Sequence, residues 1–206
     1  MAEFMQAPGS NNHKINHKTN KVFLLVAPTA CGKTTLLDFV AAQHPEFKRS
    51  ISHTTRPRRP QDVDGRDYFF VTPEQFKQMI EQQAFLEWAV HLGNYYGTSK
   101  AFIEEQLALG HSILGDVDLA GADAFKRILG DKVTVIFIAP PSFAEIEKRL
   151  RGRQSESEEV IQQRLALAKE ELAHQNDYDY LLVNDDLAKA QAELQDIIAQ
   201  ELSGKR

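Results

Sequence analysis

Hydrophobic and polar positions along the chain form two kinds of segment that alternate. Short runs of consecutive apolar residues are typical of strands buried on both faces of a parallel sheet, and longer segments repeat their apolar residues at helical spacing. The clearest pair is a strand at Lys21–Val26 followed by a helix from Lys33 to about Gln43. Strands and helices in this order predict an α/β fold with a mainly parallel sheet flanked by helices.

The same alternation continues toward the C-terminus. Apolar runs predict strands at Ser112–Asp118, Val133–Ile138 and Tyr178–Val183. Helical spacing predicts a helix that ends at Gly110, one that starts at Pro140-Pro141-Ser142, one that runs to about Ala173, and one at Leu187–Leu202. The polar stretch RGRQSESEE separates the second of these helices from the third, and it predicts a break there.

Residues 53–99 differ in character and predict a small α+β insertion with its own sheet. A short strand at Ser50–His53 is expected to lead into it, and two more are expected within it at Tyr68–Val71 and Phe85–Val90. Between them, Thr72 is predicted as the N-cap of a helix, with Pro73 in the first turn and Gln75 completing a capping box. The aromatic stretch GNYYGTS is predicted as a loop.

Composition narrows the class of protein. The chain has 206 residues, 42% hydrophobic and 26% charged, which suits one compact domain with insertions or two small ones. Its net charge of −5 disfavours a nucleic-acid partner, and its apolar runs are too short to span a membrane. Residues 1–20 predict a disordered polar tail without a secretory signal. With Cys31 as the lone cysteine, these features favour a cytoplasmic location.

A phosphate-binding loop is the sharpest local signal. The segment Ala27-Pro28-Thr29-Ala30-Cys31-Gly32-Lys33-Thr34 fits the P-loop pattern, with alanine in place of the first glycine. Loop N–H groups at a helix N-terminus face a polyphosphate, Lys33 supplies charge to the β- and γ-phosphates, and Thr34 can bind Mg²⁺. A chance match is the alternative, which the flanking strand and helix disfavour. The Cβ atoms of Ala27 and Ala30 predict weaker binding of ATP.

Two further residues have competing interpretations. Asp116, at the end of a predicted strand, is a candidate for the Mg²⁺ shell, and its alternative is a cap of the next helix. Cys31 lies in the P-loop near a helix N-terminus, a setting that can lower a thiol pKa and make oxidation block ATP binding. The plainer interpretation of Cys31 is a small residue that fills a tight loop.

Several separate motifs beyond the P-loop stand in a fixed order. They are Ser50–Pro60 with Asp62, Gly65, Asp67, Tyr68 and Phe70, then Phe85–Ala89, Gly93–Thr98, Asp116–Asp118, Gly121-Ala122, Pro140–Ser142 and Val183–Asp186. Together they resemble the signature of the guanylate kinase family over residues 21 to about 202. The resemblance implies transfer of the γ-phosphoryl group of Mg·ATP to GMP or dGMP, in purine nucleotide metabolism.

The resemblance also implies a division of the chain. A P-loop kinase core is expected at residues 21–52 and 100–206, a GMP-binding insertion at 53–99, and a short helical lid at about 142–164. One alternative is a catalytically weak guanylate-kinase-like module that binds GMP or a protein, and another is a P-loop kinase for a different phosphate ester. The intact Gly32-Lys33-Thr34 and the lid arginines favour the enzyme. Whether the protein forms a homo-oligomer stays open.

GMP recognition is implied residue by residue. Glu87 and Asp118 match the carboxylates that accept hydrogen bonds from guanine N1–H and N2–H₂, and Ser52 and Thr98 match hydroxyls near O6. The GMP set also takes in the phosphate-binding residues and a carboxylate beside them: Arg56, Arg59, Tyr68, Tyr96 and Asp116. Arginine suits this role because its guanidinium meets phosphate oxygens bidentately.

The ATP site and the catalytic groups follow in the same way. The ATP set is Ala27, Thr29, Ala30, Cys31, Gly32, Lys33, Thr34, Thr35 and, near the adenine, Asn184. Groups that match those around the transferring phosphoryl are Lys33, Arg56, Arg149, Arg153 and Arg164. Mg²⁺ is implied, with Thr34 and Asp116 as its ligands. Arg151 is expected to pair with nearby glutamates instead, and Gln154 departs from the family's usual glycine in the lid.

Overall fold

The computed structural model of the chain describes residues 20–91, 93–152 and 157–204. Its larger sheet is parallel, with strand order β2-β7-β1-β8-β9. These strands are β1 Val22–Val26, β2 Lys48–Arg49, β7 Ile113–Asp116, β8 Val133–Ala139 and β9 Tyr180–Val183. The α/β class predicted from the alternation of segments is therefore confirmed.

Helices cover both faces of this sheet. They are α1 Lys33–Gln43, α3 Lys100–Ala108, α4 Leu119–Leu129, α5 Phe143–Gly152, α6 Glu158–Ala173 and α7 Leu187–Ser203. Phe23 and Leu25 of β1 enter a core shared with α1, α5, α6 and α7, whereas Leu24 enters a second core shared with α3 and α4. Since both faces of β1 are buried, its sequence is a continuous apolar run.

A second, smaller sheet is built from residues 53–99 and has the order β4-β3-β6-β5. Its strands are β3 His53–Thr54, β4 Phe69–Phe70, β5 Phe85–His91 and β6 Asn94–Ser99, and the helix α2 Pro73–Glu81 packs on it. The capping box of α2 is present as predicted, since the Thr72 hydroxyl accepts from the Gln75 N–H and the Gln75 side chain accepts from the Thr72 N–H.

The prediction of a loop at GNYYGTS was wrong, because all of this stretch after Gly93 is strand β6. It pairs antiparallel with both β5 and β3. Its tyrosines and threonine have high strand propensity. The sequence analysis gave more weight to the glycines and the asparagine, which are typical of loops. Gly97 is needed there because a Cβ atom would lie 2.9 Å from the rings of both Phe76 and Phe85.

The prediction of a single strand at Ser50–His53 was also wrong. The chain crosses there from one sheet to the other, so the larger sheet takes β2 and the smaller takes β3. The Ser50 N–H still donates to Leu114 O at 2.8 Å, while Ser52 O already accepts from the Phe69 N–H at 2.9 Å. A local apolar pattern cannot mark this crossing because both sides of it are extended.

The remaining predicted elements are present, and most strands are shorter than predicted, whereas β5 and β8 are each one residue longer. Strand β7 ends at Asp116, two residues before the predicted end, because Asp118 begins the next helix as its N-cap. The helix ends predicted near Ala173 and Leu202 agree with α6 and α7 to within one residue. Residues 1–19 of the predicted tail lie outside the described residues. In the described part of the chain, no helix combines the length and apolar character that a membrane span requires.

Candidate active site

The P-loop connects the buried strand β1 to helix α1. Ala30 and Gly32 both have positive φ angles, 61° and 85°. A Cβ atom at position 32 would lie 2.4 Å from Nδ2 of Asn184, so this position needs glycine for both space and conformation. Among the described residues no side chain caps the start of α1. Its first N–H groups therefore face the loop, where an anion can bind them.

Side chains from distant parts of the chain close over this loop. Asn184 is buried at the end of β9 and donates to Cys31 O at 2.9 Å. From α5, Arg149 donates to Ala30 O at 3.4 Å and to Asn184 O at 3.5 Å, and from α6, Arg164 donates to the Thr29 hydroxyl at 3.3 Å. Two predicted lid arginines thus lie at the P-loop.

Of the other lid residues singled out in the sequence, one lies on the surface and two lie outside the residues that the structure describes. Arg151 is exposed and pairs with Glu147 and Glu158, as predicted. Arg153 and Gln154 lie outside the described residues. Arg149 also bonds Glu145 at 3.0 Å along the same helix, which holds its guanidinium near the loop.

Lys33 and Asp116 meet at the mouth of the P-loop. Parallel pairing of β1 with β7 sets Asp116 beside Leu25, just before the loop begins. The Lys33 Nζ atom lies 3.6 Å from Asp116 Oδ2. Thr34 and Thr35 are exposed in the first turn of α1. The capping alternative for Asp116 does not apply, because Asp118 caps α4 by accepting from the Gly121 N–H at 2.7 Å.

The cleft is the space between the P-loop and β5, across which the charges of Lys33 and Asp118 both act on His91. Two carboxylates converge beside it on Gly121 of α4. A Cβ atom on Gly121 would lie 3.1 Å from both Asp118 Oδ1 and Glu87 Oε2, so these two side chains flank that glycine. Burial raises the pKa of Glu87 to about 7, with a smaller contribution from Asp118. The Thr98 hydroxyl donates to Glu87 Oε1 at 2.6 Å. Thr98 therefore contacts the carboxylate in this structure, and Ser52 is half-buried in the crossing segment.

A group of aromatic and basic side chains lies beside these carboxylates. The Arg56 guanidinium packs 5.3 Å from the centre of the Tyr68 ring, which in turn lies 5.9 Å from the Tyr96 ring. Asp62 holds the loop, since it bonds the Arg56 guanidinium and the Arg59 N–H at 2.8 Å each. Burial, together with the charge of Asp116, raises the pKa of Tyr68 above its ordinary range, so its hydroxyl keeps its proton and can donate.

Cys31 differs from its sequence-based hypothesis. The thiol is only 1% exposed, and burial raises its pKa to about 12. Desolvation outweighs the positive charges of Arg149 and Lys33 that the P-loop brings near it. The hypothesis of a lowered thiol pKa was therefore wrong, and the plainer interpretation of Cys31, a small residue that fills the loop, agrees with its place in the larger core.

Two titratable residues of the cleft were missed by the sequence analysis. Glu171 of α6 and His91 of β5 both lie close enough to Lys33 for its charge to act on them. Burial raises the pKa of Glu171 to about 7. Spacing could have found both residues. Glu171 is seven positions after Arg164, on one helix face, and His91 is four positions after Glu87, on one strand face.

The fold and the site define the class of protein first. A parallel sheet whose central strand leads into a phosphate loop, faced by arginines from two later helices, is the architecture of a P-loop kinase. The particular family follows from comparison. The chain belongs to the guanylate kinase family, because the family model described as guanylate kinase matches residues 19–201.

Individual relatives agree with this assignment. A guanylate kinase from Shewanella violacea is 44% identical over 181 residues, which cover 87% of this chain and 87% of the relative. One from Novosphingobium aromaticivorans is 42% identical over 185 residues, covering 90% of this chain and 84% of the relative. The crystal structure of guanylate kinase from Anaplasma phagocytophilum matches with a TM-score of 0.73 at 29% identity, over 89% of this chain and 86% of that one.

Proposed function

We propose that this protein catalyses transfer of the γ-phosphoryl group of Mg·ATP to GMP, which yields ADP and GDP. Family membership supports the reaction, and one structural observation carries its specificity. Glu87 and Asp118 converge on Gly121, and the charge of Asp118 acts on His91 together with that of Lys33 in the P-loop. Guanine presents two donor groups, N1–H and N2–H₂, to such a pair of acceptors. Adenine lacks the N2 amine and would leave a carboxylate without a partner. At comparable sites, an unpaired group of this kind makes the enzyme reject the wrong substrate by a factor of ~10⁴–10⁵.

The basic and hydroxyl side chains beside the carboxylates support binding of the GMP phosphate. We assign this role to Arg56, Arg59, Tyr68 and Tyr96. Arg56 is prepared for it, since Asp62 and the Tyr68 ring fix its guanidinium before any substrate binds. Positioning of the acceptor phosphate is the main task of these groups, because a phosphate oxygen of GMP is already an anionic nucleophile and needs no strong general base.

The donor nucleotide is assigned to the P-loop. Backbone N–H groups of residues 27–35 and the Lys33 ammonium would hold the β- and γ-phosphates, with Asn184 beside the adenine. As a GMP oxygen bonds to the γ-phosphorus, the bond from that phosphorus to the β–γ bridging oxygen breaks. Arg149 and Arg164, which already reach the loop, would stabilise the charge spread over the transferring group.

Mg²⁺ fits the oxygen donors at this site. It prefers one or two carboxylates together with substrate phosphates, and the Asp116 carboxylate and Thr34 hydroxyl stand at the mouth of the P-loop. When bound, the ion would offset the negative charge of the substrate phosphates. We further propose that residues 53–99 form the GMP-binding part, that residues near 142–164 form a lid, and that the rest is the catalytic core.

A coupled ADP-release assay tests the proposed function. We expect turnover with GMP and dGMP, and a kcat/KM with AMP, CMP or UMP lower by at least about 10⁴-fold. Lys33→Ala should lower kcat roughly 10²–10³-fold, because it removes a positive charge that would stabilise the transition state. Glu87→Gln should instead lower kcat/KM with GMP, since an amide presents a donor to the donors of guanine.

Exposed residues of the same type provide matched controls. Lys132→Ala, just before β8, and Glu104→Gln, on the outer surface of α3, change exposed side chains outside the proposed sites and should leave the kinetics unchanged. Binding of GMP without turnover of any nucleotide would contradict the proposed function and make the protein a binding module. Equal turnover of GMP and AMP would contradict the role of Glu87 and Asp118.

A further inference from the structure

The hairpin of β5 and β6 presents one face to the cleft. Its register pairs Glu87 with Thr98, Ala89 with Tyr96, and His91 with Asn94. Because side chains alternate along a strand, Glu87, Ala89 and His91 share a face, and His91 lies about 13 Å beyond Glu87. The face that begins at the carboxylate for guanine therefore ends at a histidine.

His91 stands next to the residues assigned to the GMP phosphate. Its half-buried ring lies 6.3 Å from the Tyr96 ring in an edge-on arrangement. Tyr96 lies 5.9 Å from Tyr68, which packs under the Arg56 guanidinium. His91 thus extends this row by one position, in the direction that leads away from guanine.

Charged groups from three other elements act on His91 from across the cleft. They are Lys33 at the start of α1, Arg164 on α6 and Asp118 at the start of α4. Burial, with the charges of Arg164 and Lys33, lowers the pKa of His91, and Asp118 opposes this effect. The imidazole is therefore neutral near pH 7 in the free protein, at a place where groups assigned to both nucleotides come close together.

We propose that His91 is an additional phosphate-binding residue, which takes up a proton when the two nucleotides bind and then donates hydrogen bonds to their phosphates. The inference rests on the proposed function, since GMP and ATP bring the charges. Bound phosphates add negative charge that favours the imidazolium, against the burial and the cations that lower the pKa of His91, and an imidazolium donates from both nitrogens. Such charge-assisted bonds are among the stronger hydrogen bonds in proteins.

Proton uptake on binding provides a direct test. Titration calorimetry of the protein with GMP and a non-hydrolysable ATP analogue, in buffers of different ionisation enthalpy at pH 7, counts the protons taken up. The wild-type protein should take up roughly 0.5–1 proton more than His91→Gln. Protons released by Glu87 and by the phosphates contribute equally in both proteins, so the difference isolates His91.

His174→Gln is the matched control, because His174 is an exposed histidine at the end of α6 that bonds Asp177. It should behave as wild type. His91→Val is a second variant, because valine has high strand propensity. It keeps the test valid if the glutamine of His91→Gln disturbs the hairpin. Both His91 variants should lower kcat/KM with GMP roughly 10- to 100-fold at pH 6.5, and the loss should shrink as pH rises.

Equal proton uptake by wild type and both His91 variants would overturn the role of His91. GMP turnover by all four proteins would still leave the proposed function standing. Absence of turnover in the wild-type protein would instead count against the function itself, so the two failures are distinguishable.

Discussion

At the scale of single residues, Glu87 combines a structural and a chemical requirement. It accepts a hydrogen bond from Thr98 and lies close to Asp118, in a buried setting that raises its pKa to about 7. The protonated carboxyl presents a donor to guanine, whereas the carboxylate presents acceptors only. In the proposed GMP site, the protonation of this one group would therefore decide near neutral pH whether the site matches guanine.

This predicts a contribution of Glu87 that raises kcat/KM with GMP as pH rises to about 7 and stays constant above it, because the carboxylate form predominates above the pKa of Glu87. Below that value the loss should approach tenfold per pH unit. The second ionisation of the GMP phosphate, near pH ~6, adds a separate effect. Glu87→Gln should keep only this effect of the GMP phosphate and the pH dependence proposed for His91. A wild-type profile that superposes on the Glu87→Gln profile would contradict the prediction.

At the scale of elements, a buried polar cluster joins the end of the chain to the sheet. Lys21, just before β1, forms an ion pair with Glu201 of α7, and both side chains are almost fully buried. Thr134 of β8 and Tyr180 of β9 donate to the same carboxylate at 3.0 and 2.8 Å. The cluster lies at the opposite end of β1 from the P-loop, so α7 is fixed to three strands without entering the cleft.

Glu201→Gln should destabilise the protein by ~3–5 kcal/mol, because it leaves the Lys21 ammonium buried without a counter-charge. Replacing both partners, as in Lys21→Met with Glu201→Leu, should cost much less. Glu193→Gln, an exposed change on the same helix, is the control. Urea unfolding monitored by circular dichroism measures all three. A double variant less stable than Glu201→Gln would contradict this account.

The pH dependence of the same cluster follows from its hydrogen bonds. Burial by itself would raise the pKa of Glu201, but hydrogen bonds from Lys21, Tyr180 and Thr134 outweigh it and lower the pKa. A carboxyl with a lowered pKa in the folded state stabilises the protein above its unfolded-state pKa, and this contribution is lost as pH falls through the lowered value. The difference between wild type and Glu201→Gln should accordingly narrow in acid.

At the scale of the whole molecule, the two nucleotides would bind to different sheets. GMP is assigned to residues 53–99 on the smaller sheet, and ATP to the P-loop on the larger one. Phosphoryl transfer needs the two phosphates in near contact and water excluded. We therefore expect the smaller sheet and the lid to move toward the P-loop when both substrates are present.

Small-angle scattering should show a smaller radius of gyration with GMP and a non-hydrolysable ATP analogue than without nucleotides. GMP alone should produce part of the change, because it contacts mainly the smaller sheet. AMP in place of GMP should produce little, since Glu87 and Asp118 do not match adenine. An unchanged radius under saturating GMP and analogue would sink the closure proposal while leaving the phosphate-binding roles intact.

Local signals in the sequence determined most of the elements and the chemistry of the P-loop. A buried strand, a capping box at Thr72 and a glycine-lysine-threonine at a helix start each depend on neighbours within a few residues, so their pattern is complete in the chain itself. The resemblance to the guanylate kinase family added Glu87, Asp118 and the arginines. The roles of those residues stay predictions until the assays above are done.

Tertiary structure alone decided the features that depend on residues far apart in the chain. The chain crosses between the sheets at Ser50–His53 because β2, before the crossing, pairs in the larger sheet and β3, after it, pairs in the smaller one. Cys31 has a raised pKa because burial in the core desolvates its thiol, and this effect outweighs the nearby positive charges that lower the pKa. His91 faces Lys33 and Arg164 only because the hairpin and α6 fold onto the same cleft. Burial and charge at a site are set by three-dimensional neighbours, and sequence spacing does not contain them.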